Sequence, residues 1–327
     1  MVIATGADTN FFDNKDLMDH ALPMKSTIEA LQLRYRLLHN FELAEICKDE
    51  KELASLMNIV VAGGGPTGVE LSGAIADMRH YVLPKDYPDL DFSKMKIYLL
   101  EGTNKTLGVM SEKSSEQSRK YLEKLGVIVL TNTILKEYDG STVVLQNGEV
   151  INSKTVIWAA GVKGNVPQGI SKDLIVKGNR IKVDTFSAVQ GFKNVYAIGD
   201  VAYMEELPAY PKGHPQVASV AIQQGDNLAK NLLKKDDAPK KAFVYNDKGS
   251  MATVGRNLAV VDIPKPKLHF GGFFAWITWM VLHLFLILGV KNRTSVFFNW
   301  LYNYRTYDQN VRLIFNDFPE TNPKKVN

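Results

Sequence analysis

Apolar positions along this 327-residue chain alternate between short unbroken runs and runs at helical intervals. Val2-Ile3-Ala4-Thr5-Gly6 reads as the end of a buried strand running into a glycine turn, because a strand this apolar needs cover on both faces. In KSTIEALQLRYRLLHNFELAEICKDEKELASL, Ser26 and Glu29 have capping-box spacing and the apolar positions recur every three or four residues. The pattern predicts a long helix, with a break allowed, leading towards Leu56. MNIVVAGGGPTGVELSGAIADMRHY predicts a strand, a glycine turn and a helix. KMKIYLLEG predicts the next strand, 112–125 a helix, and GVIVLTN another strand. From about 134 to 160 the pattern becomes short alternating strands around an Asn147-Gly148 turn, ending in KTVIWAAGV. This order describes a parallel βαβ sheet closed by an antiparallel piece.

Beyond 161 the character changes. NRIKVD, NVYAIGDVA and GSMATVGRNLAVVD are strand-like, and QVASVAIQQGDNLAKNLLKK between the last two is helical. The stretch to 262 holds no complete βαβ unit of its own. It reads as the back half of a domain, with MVIATG as another fragment of it.

Composition adds little except at two points. Hydrophobic residues at 45% and charged residues at 23% describe a folded chain. The single cysteine, Cys47, excludes an intramolecular disulfide, a CxxC redox pair and a cysteine-rich zinc site, and fits a reducing compartment. The six histidines are scattered, with no metal-ligand cluster. The net charge of +4 is unevenly placed: from Ile263 onward eight Lys or Arg (265, 267, 291, 293, 305, 312, 324, 325) face three acids (308, 317, 320). A basic, aromatic-rich tail on a near-neutral body points to an anionic surface. No groove-reading motif accompanies these charges, so nucleic acid is not the expected partner.

The clearest chemistry lies at Gly63-Gly64-Gly65-Pro66-Thr67-Gly68, a G-x-G-x-x-G between an apolar strand and a helix. Gly63 allows the tight turn, Gly65 lets backbone approach a pyrophosphate, and Gly68 lets helix and strand pack closely. Pro66 suits a first helical turn, and the helix N-terminus faces the anion. The following strand ends in Glu101, where a carboxylate accepts the ribose 2′-OH of NADH and repels the 2′-phosphate of NADPH. Glu101 lies beyond the usual spacing of ~20 residues, which implies an insertion around YVLPKDYPDLDF.

VIATGA, GGGPTGVELSGAIAD, VIWAAGV and NVYAIGDVA together resemble the flavoprotein reductases in which an NAD(P)H domain interrupts an FAD domain. HPQVASVAIQQG, GSMATVGRNLAVVD and the aromatic stretch from FFAWITWMVLHLF narrow the resemblance to the type II NADH dehydrogenases, the single-subunit, non-proton-pumping NADH:quinone oxidoreductases. The fold so implied is α/β, with two Rossmann-like domains and a C-terminal amphipathic, membrane-binding helical hairpin. Residues 1–55 would be FAD-domain remnant and connecting helix, 56–160 the NADH domain, 161–262 the rest of the FAD domain and the quinone-site helix, and 263–327 the membrane-anchoring region. In the family a first G-x-G-x-x-G, for the ADP half of FAD, precedes the ATG turn; this sequence holds only the loop at 63–68. The expectation is therefore an FAD domain whose first segment is missing.

The resemblance also implies roles. Gly6, Gly199 and Asp200 would serve FAD, with Asp200 on the ribityl hydroxyls, and Ala160 and Gly161 would form the small-residue turn against which nicotinamide meets the flavin. Glu70 and Gln223 would be the catalytic residues. Glu70 matches the family's acid near the nicotinamide and quinone sites, where a partly buried carboxylate can relay protons. Its alternative is a dipole-favoured acid at a helix start. The family's quinone signature A-Q-x-A-x-Q reads Ala218-Ser219-Val220-Ala221-Ile222-Gln223 here, so Ser219 replaces the first glutamine and Gln223 keeps the second. NADH, FAD, a membrane quinone and the bilayer surface are the implied partners, on the cytoplasmic face of the cell membrane. Disulfide and sulfide reductases of this fold need reactive cysteines that Cys47 alone cannot supply, and a soluble ferredoxin-type reductase would not need the tail. A flavin-free, membrane-attached NADH-binding remnant and an NADH reductase with a non-quinone acceptor stay open.

Phe270–Val290 is 21 residues without a formal charge, long enough to span ~30 Å of hydrocarbon. The next segment argues against spanning: Val296, Phe297, Trp300, Leu301 and Tyr304 share one face, with Asn299, Asn303 and Arg305 between. Two aromatic-rich helices with Lys291 and Arg293 at the joint suit a monotopic, in-plane hairpin beside anionic headgroups. A homodimer interface is its alternative use.

Overall fold

The computed structural model describes residues 1–204, 210–235 and 238–306. Its contacts divide the chain into two compact units, one from residues 11–160 and 249 onward, the other from 1–10 and 161–248. The architecture is α/β and Rossmann-like, with two dinucleotide-binding-like regions.

The first unit is built on a five-stranded parallel sheet in the order Leu22–Pro23, Thr155–Trp158, Ile59–Ala62, Ile97–Leu100, Val127–Leu130. Ile59–Ala62 is buried at every position, as an unbroken apolar strand with parallel neighbours on both sides requires. The sheet is accompanied by helices α1 (Lys15–His20), α2 (Thr27–Ile46), α3 (Glu50–Met57), α4 (Pro66–Tyr81), α5 (Leu83–Asp86) and α6 (Glu112–Lys124). The Ser26/Glu29 capping box forms, with Glu29 N–H donating to Ser26 Oγ and Ser26 N–H to Glu29 Oε2. The long helix does break. Cys47 ends α2, and Asp49 starts α3 by accepting from Glu52 N–H at 2.7 Å.

The insertion ahead of Glu101 is a packed segment: Leu83, Tyr87, Phe92 and Met95 join the main core, and Tyr87 Oη donates to Glu42 at 2.9 Å. Leu135–Tyr138, Thr142–Leu145 and Val150–Asn152 form the antiparallel piece, with Gly148 at φ +86° in its turn.

In the second unit, Val2–Ile3 pairs in parallel with Tyr196–Ala197, and Ala7–Thr9 pairs antiparallel with Val162–Gly164. Ile175–Val176, Arg180–Val183 and Ala202–Met204 make a third small sheet. Ile3, Ile181, Val183, Ala197, Val201 and Phe243 are among the residues of its core, and α7 (Ala218–Leu232) follows.

Ser250–Gly255, Leu258–Ile263 and Leu268–Gly271 form an antiparallel sheet that belongs with the first unit. The sequence reading put this hairpin with 161–262. The reason for the difference is α4: a Cβ on Gly73 would lie 1.5 Å from the Val254 carbonyl oxygen, so only glycine permits this approach of helix to strand. The apolar run 270–290 is not one helix. Phe270 and Gly271 finish a strand, Gly272 turns at φ +77°, α8 covers Phe273–Leu286, and Gly289 at φ +84° precedes α9 (Val290–Thr306). No helix among the described residues is long and apolar enough to cross a membrane. Arg312, Lys324, Lys325 and the other tail charges beyond 306 lie outside the described residues.

Candidate functional site

Open parallel sheets bind ligands beyond the carboxyl ends of their strands, where connections leave in opposite directions. Ile59–Ala62 has such neighbours on its two sides, Thr155–Trp158 and Ile97–Leu100, and their ends bring Gly63, Glu101 and Ala159-Ala160 together. Gly63 sits at φ +113°, and a Cβ there would lie 2.5 Å from the Ala159 carbonyl oxygen. A Cβ on Gly68 would lie 1.8 Å from the Gly63 carbonyl oxygen, so this glycine is needed for the helix to leave the loop. Gly65 differs from both: its Cβ position meets nothing within 4 Å. Gly65 is also the N-cap of α4, with Pro66 following and no side chain capping the first turn. The first N–H groups of α4 are thus open to an anion.

Glu101 is held against this loop. Its Oε2 accepts from Gly64 N–H at 2.7 Å, and its Oε1 accepts from both the N–H and the hydroxyl of Thr103 at 2.7 Å. A carboxylate offers about four acceptor positions, so Oε2 keeps one for a ribose hydroxyl. Sequence reasoning missed Thr103, which no spacing rule marks.

Glu70 lies one turn into α4, half-buried, and accepts from Thr253 N–H at 3.2 Å. Burial pushes its carboxyl above the ordinary value, while hydrogen bonds from Thr253 and the proximity of His283 partly offset this. His283, on α8, stacks on Trp279 with ring centroids 3.9 Å apart and uses Nδ1 toward the Trp279 carbonyl at 2.8 Å. Asp77, two turns further along α4, accepts from Arg256 N–H at 2.9 Å. Arg256 in turn holds α9, with its guanidinium 4.1 Å from the Tyr304 ring centroid and bonded to the Tyr304 carbonyl. The helix that begins at the glycine loop therefore touches the C-terminal sheet at Glu70, Gly73 and Asp77. The sequence reading gave His283 and Gly73 no role of their own, although both lie within stretches that carry the resemblance.

The other candidate residues lie in the second unit. Gly6 turns at φ +72° with open space at its Cβ position. Gly161 accepts from Asn10 N–H at 3.0 Å. Gly199 turns at φ +73° and donates its N–H to the buried Gln224 at 2.7 Å, and Asp200 accepts through its carbonyl from Gln216 at 3.0 Å. Buried Arg180 ties this region together, donating to the carbonyls of Ala202 and His214. The amide of Gln223 is not aimed outward: Nε2 donates to the Asn246 carbonyl at 3.0 Å, and Oε1 accepts from Asn246 N–H at 2.9 Å.

Residues 1–225 match the pyridine nucleotide-disulphide oxidoreductase family, and residues 248–304 match the NDH2 C-terminal domain. The chain belongs to the type II NADH:quinone oxidoreductase (NDH2) family. A type II NADH:quinone oxidoreductase of Mycobacterium tuberculosis, NdhA, is 33% identical over 92% of this chain and 65% of its own length. An internal alternative NAD(P)H-ubiquinone oxidoreductase of Arabidopsis thaliana mitochondria is 30% identical over 92% of this chain and 62% of its own length. The chain thus spans slightly less than two thirds of these relatives. NDH2 of Plasmodium falciparum, solved in complex with NADH, shares the fold with a TM-score of 0.83 over 92% of this chain and 77% of that one, at 22% identity. Ser219, which the sequence reading set at the first glutamine position of the implied quinone signature, bonds the Tyr245 hydroxyl at 2.8 Å.

Proposed function

We propose that this NDH2 chain passes electrons from NADH through FAD to a membrane quinone, without pumping protons, at the cytoplasmic face of the cell membrane. The observation that carries the reading is Glu70: a half-buried carboxylate on the glycine-loop helix, bonded to the C-terminal sheet and facing a histidine of the aromatic helix α8. Dinucleotide site and apolar hairpin are thereby linked through one group able to hold a proton. The names of the curated relatives, NADH:quinone and NAD(P)H-ubiquinone oxidoreductases, point the same way.

The residues present suit NADH: an open Cβ position at Gly65, uncapped N–H groups on α4 and a carboxylate with acceptor capacity at Glu101. In this reading the α4 N-terminus binds the pyrophosphate, Glu101 takes a ribose hydroxyl, and Ala160 lines the nicotinamide end. For FAD, the glycine turns at Gly6 and Gly199 and the carboxylate of Asp200 suit the ribityl end, with Gly161 beside them. Bound FAD would supply the two-electron carrier that NADH reduces and quinone oxidises. Glu70 holds a proton for the reduced quinone, its carboxyl raised by burial. Gln223 holds Asn246 and the chain around it, and meets quinone directly only by releasing that backbone.

The exposed side chains of α8, α9 and the turn between them, among them Phe274, Phe285, Leu288 and Phe298, form the surface that attaches to the bilayer as a monotopic hairpin. Within α9 the face read from sequence divides: Val296, Trp300 and Tyr304 turn inward, and Phe297 and Leu301 stay exposed.

The test is to express the chain, measure FAD retention by absorbance, and follow NADH oxidation with a short-chain quinone and with ferricyanide. Flavin-dependent quinone reduction supports the proposal. NADH binding without flavin retention would favour a flavin-free NADH-binding role, and turnover with ferricyanide alone would favour a non-quinone acceptor.

A further inference from the structure

The α8–α9 turn combines two properties that a water-exposed turn has no need to combine. Its side chains are apolar and turned outward, with Phe285, Leu286, Leu288 and Val290 exposed at 64–84%. Four of its backbone carbonyls, by contrast, are closed from within. Arg293 donates from Nε to the Ile287 carbonyl at 2.7 Å and from Nη2 to the Phe285 carbonyl at 2.8 Å. Asn292 Nδ2 donates to the Leu288 carbonyl at 3.0 Å, and Arg293 N–H to the Gly289 carbonyl at 3.1 Å. The last carbonyls of a helix have no partner in the helix itself and ordinarily turn to water. In a water-poor layer each would be costly to leave open.

The other end of α8 is built the opposite way. Gly272 precedes it, and no side chain caps the N–H groups of its first turn. Those groups need water or polar headgroups, although Phe274 beside them is 77% exposed. Exposed apolar side chains occur at both ends, so side chains alone do not orient the helix. Backbone satisfaction does.

We infer that the α8–α9 turn is the point at which this chain penetrates the lipid bilayer, with α8 tilted so that its Phe273 end stays at headgroup level and Arg293 serving as the internal cap that makes the turn's entry affordable. The inference rests on the membrane reading above and deepens it. Lipid is the occupant because the exposed apolar surface is accompanied by cations only: α8 and α9 carry Lys291, Arg293 and Arg305 and no acidic residue. A guanidinium has five donors, and the two spent on carbonyls leave three for lipid phosphate or water. That requirement keeps the turn at the boundary of headgroups and acyl chains and away from the bilayer centre. Arg293 is thus a positioning residue for the hairpin, a role distinct from the headgroup contact its place in the sequence suggests.

The experiment places a nitroxide at Phe274→Cys, Leu288→Cys or Phe298→Cys in a Cys47→Ala background of the 327-residue chain. Each is bound to phosphatidylcholine vesicles containing phosphatidylglycerol. Depth is read by power saturation with oxygen against a water-soluble nickel chelate. The expected result is a label at 288 about 5 Å deeper than one at 274, with Arg293→Gln raising the 288 label towards the surface while the 274 label stays in place. The comparison of 288 with 274 needs no change at Arg293, so a hairpin disturbed by that substitution does not remove the test. Binding to vesicles with 288 no deeper than 274 would overturn the inference and leave the membrane reading standing. Failure to sediment with vesicles would overturn both. Burial of all three labels by self-association without vesicles would assign the surface to a second copy and also overturn the inference.

Discussion

Gly65, the N-cap of α4, and Gly73, eight positions along, should respond oppositely in ligand binding and packing, and replacing each by alanine tests the proposed site directly. Gly73→Ala would put a Cβ 1.5 Å from the Val254 carbonyl oxygen, where ordinary contact begins at 3.4 Å. Helix and strand would have to part by about 2 Å, which is overpacking of the kind that costs ~1–3 kcal/mol. Such a shift also breaks the 3.2 Å bond from Thr253 to Glu70 and strains the 2.9 Å bond from Arg256 to Asp77; hydrogen bonds to charged groups are worth about 1.5–3 kcal/mol each. The sum is on the order of 3–6 kcal/mol, a fall in Tm of roughly 10 °C. Gly65→Ala meets nothing within 4 Å, and its φ of −71° suits any residue, so stability should stay within about 0.5 kcal/mol. The added methyl instead stands where the pyrophosphate would lie, and NADH affinity should fall at least tenfold, ~1.4 kcal/mol. Thermal unfolding and NADH titration of both variants provide the readouts. A Gly65→Ala protein that binds NADH as tightly as the parent, or that melts as low as Gly73→Ala, would refute the assignment of the loop.

Glu101→Gln should narrow the preference for NADH over NADPH in titrations of both nucleotides, because the carboxylate that repels a 2′-phosphate is gone; equal affinity of the parent for both would contradict the role of Glu101. Glu70→Gln should slow quinone reduction more than reduction of the flavin by NADH, followed separately by stopped flow. Because burial raises the Glu70 pKa, the proton-bearing form persists above the ordinary carboxyl range and is lost as pH rises through the raised value. The parent's quinone step should fall over that interval, and a Glu70→Gln protein showing the same fall would exclude Glu70. His214, 3% exposed among Tyr210, Phe243 and Tyr245, has its pKa lowered to about 4 by burial and then by Arg180. A depressed histidine contributes fully above its unfolded value of about 6.5, and that contribution is lost as pH falls towards 4, on the order of 3 kcal/mol. Denaturant unfolding at pH 7 and pH 4.5 should show this loss, and His214→Phe should reduce it.

Much of the first unit was legible because its signals are local. A glycine loop between an apolar strand and a helix, an acid at the next strand's end, and a capping box at Ser26 each act within a few residues of themselves. Chain-order patterns therefore determined the parallel sheet, the glycine loop at its carboxyl end and the aromatic character of the tail. What the tertiary structure decided depends on residues far apart in sequence. Gly73 has no assigned part in the glycine loop, yet its missing side chain lets Ser250–Ile263 lie against α4 and so join the first unit. Gln223 carries the right amide at the right spacing, but the backbone of Asn246, brought alongside by the fold, claims both of its ends. Arg293 reads as a surface charge until the turn from α8 to α9 sets two open carbonyls before it. Spacing specifies which face of a helix a residue occupies; only packing supplies the partner that a hydrogen-bonding group on that face will meet.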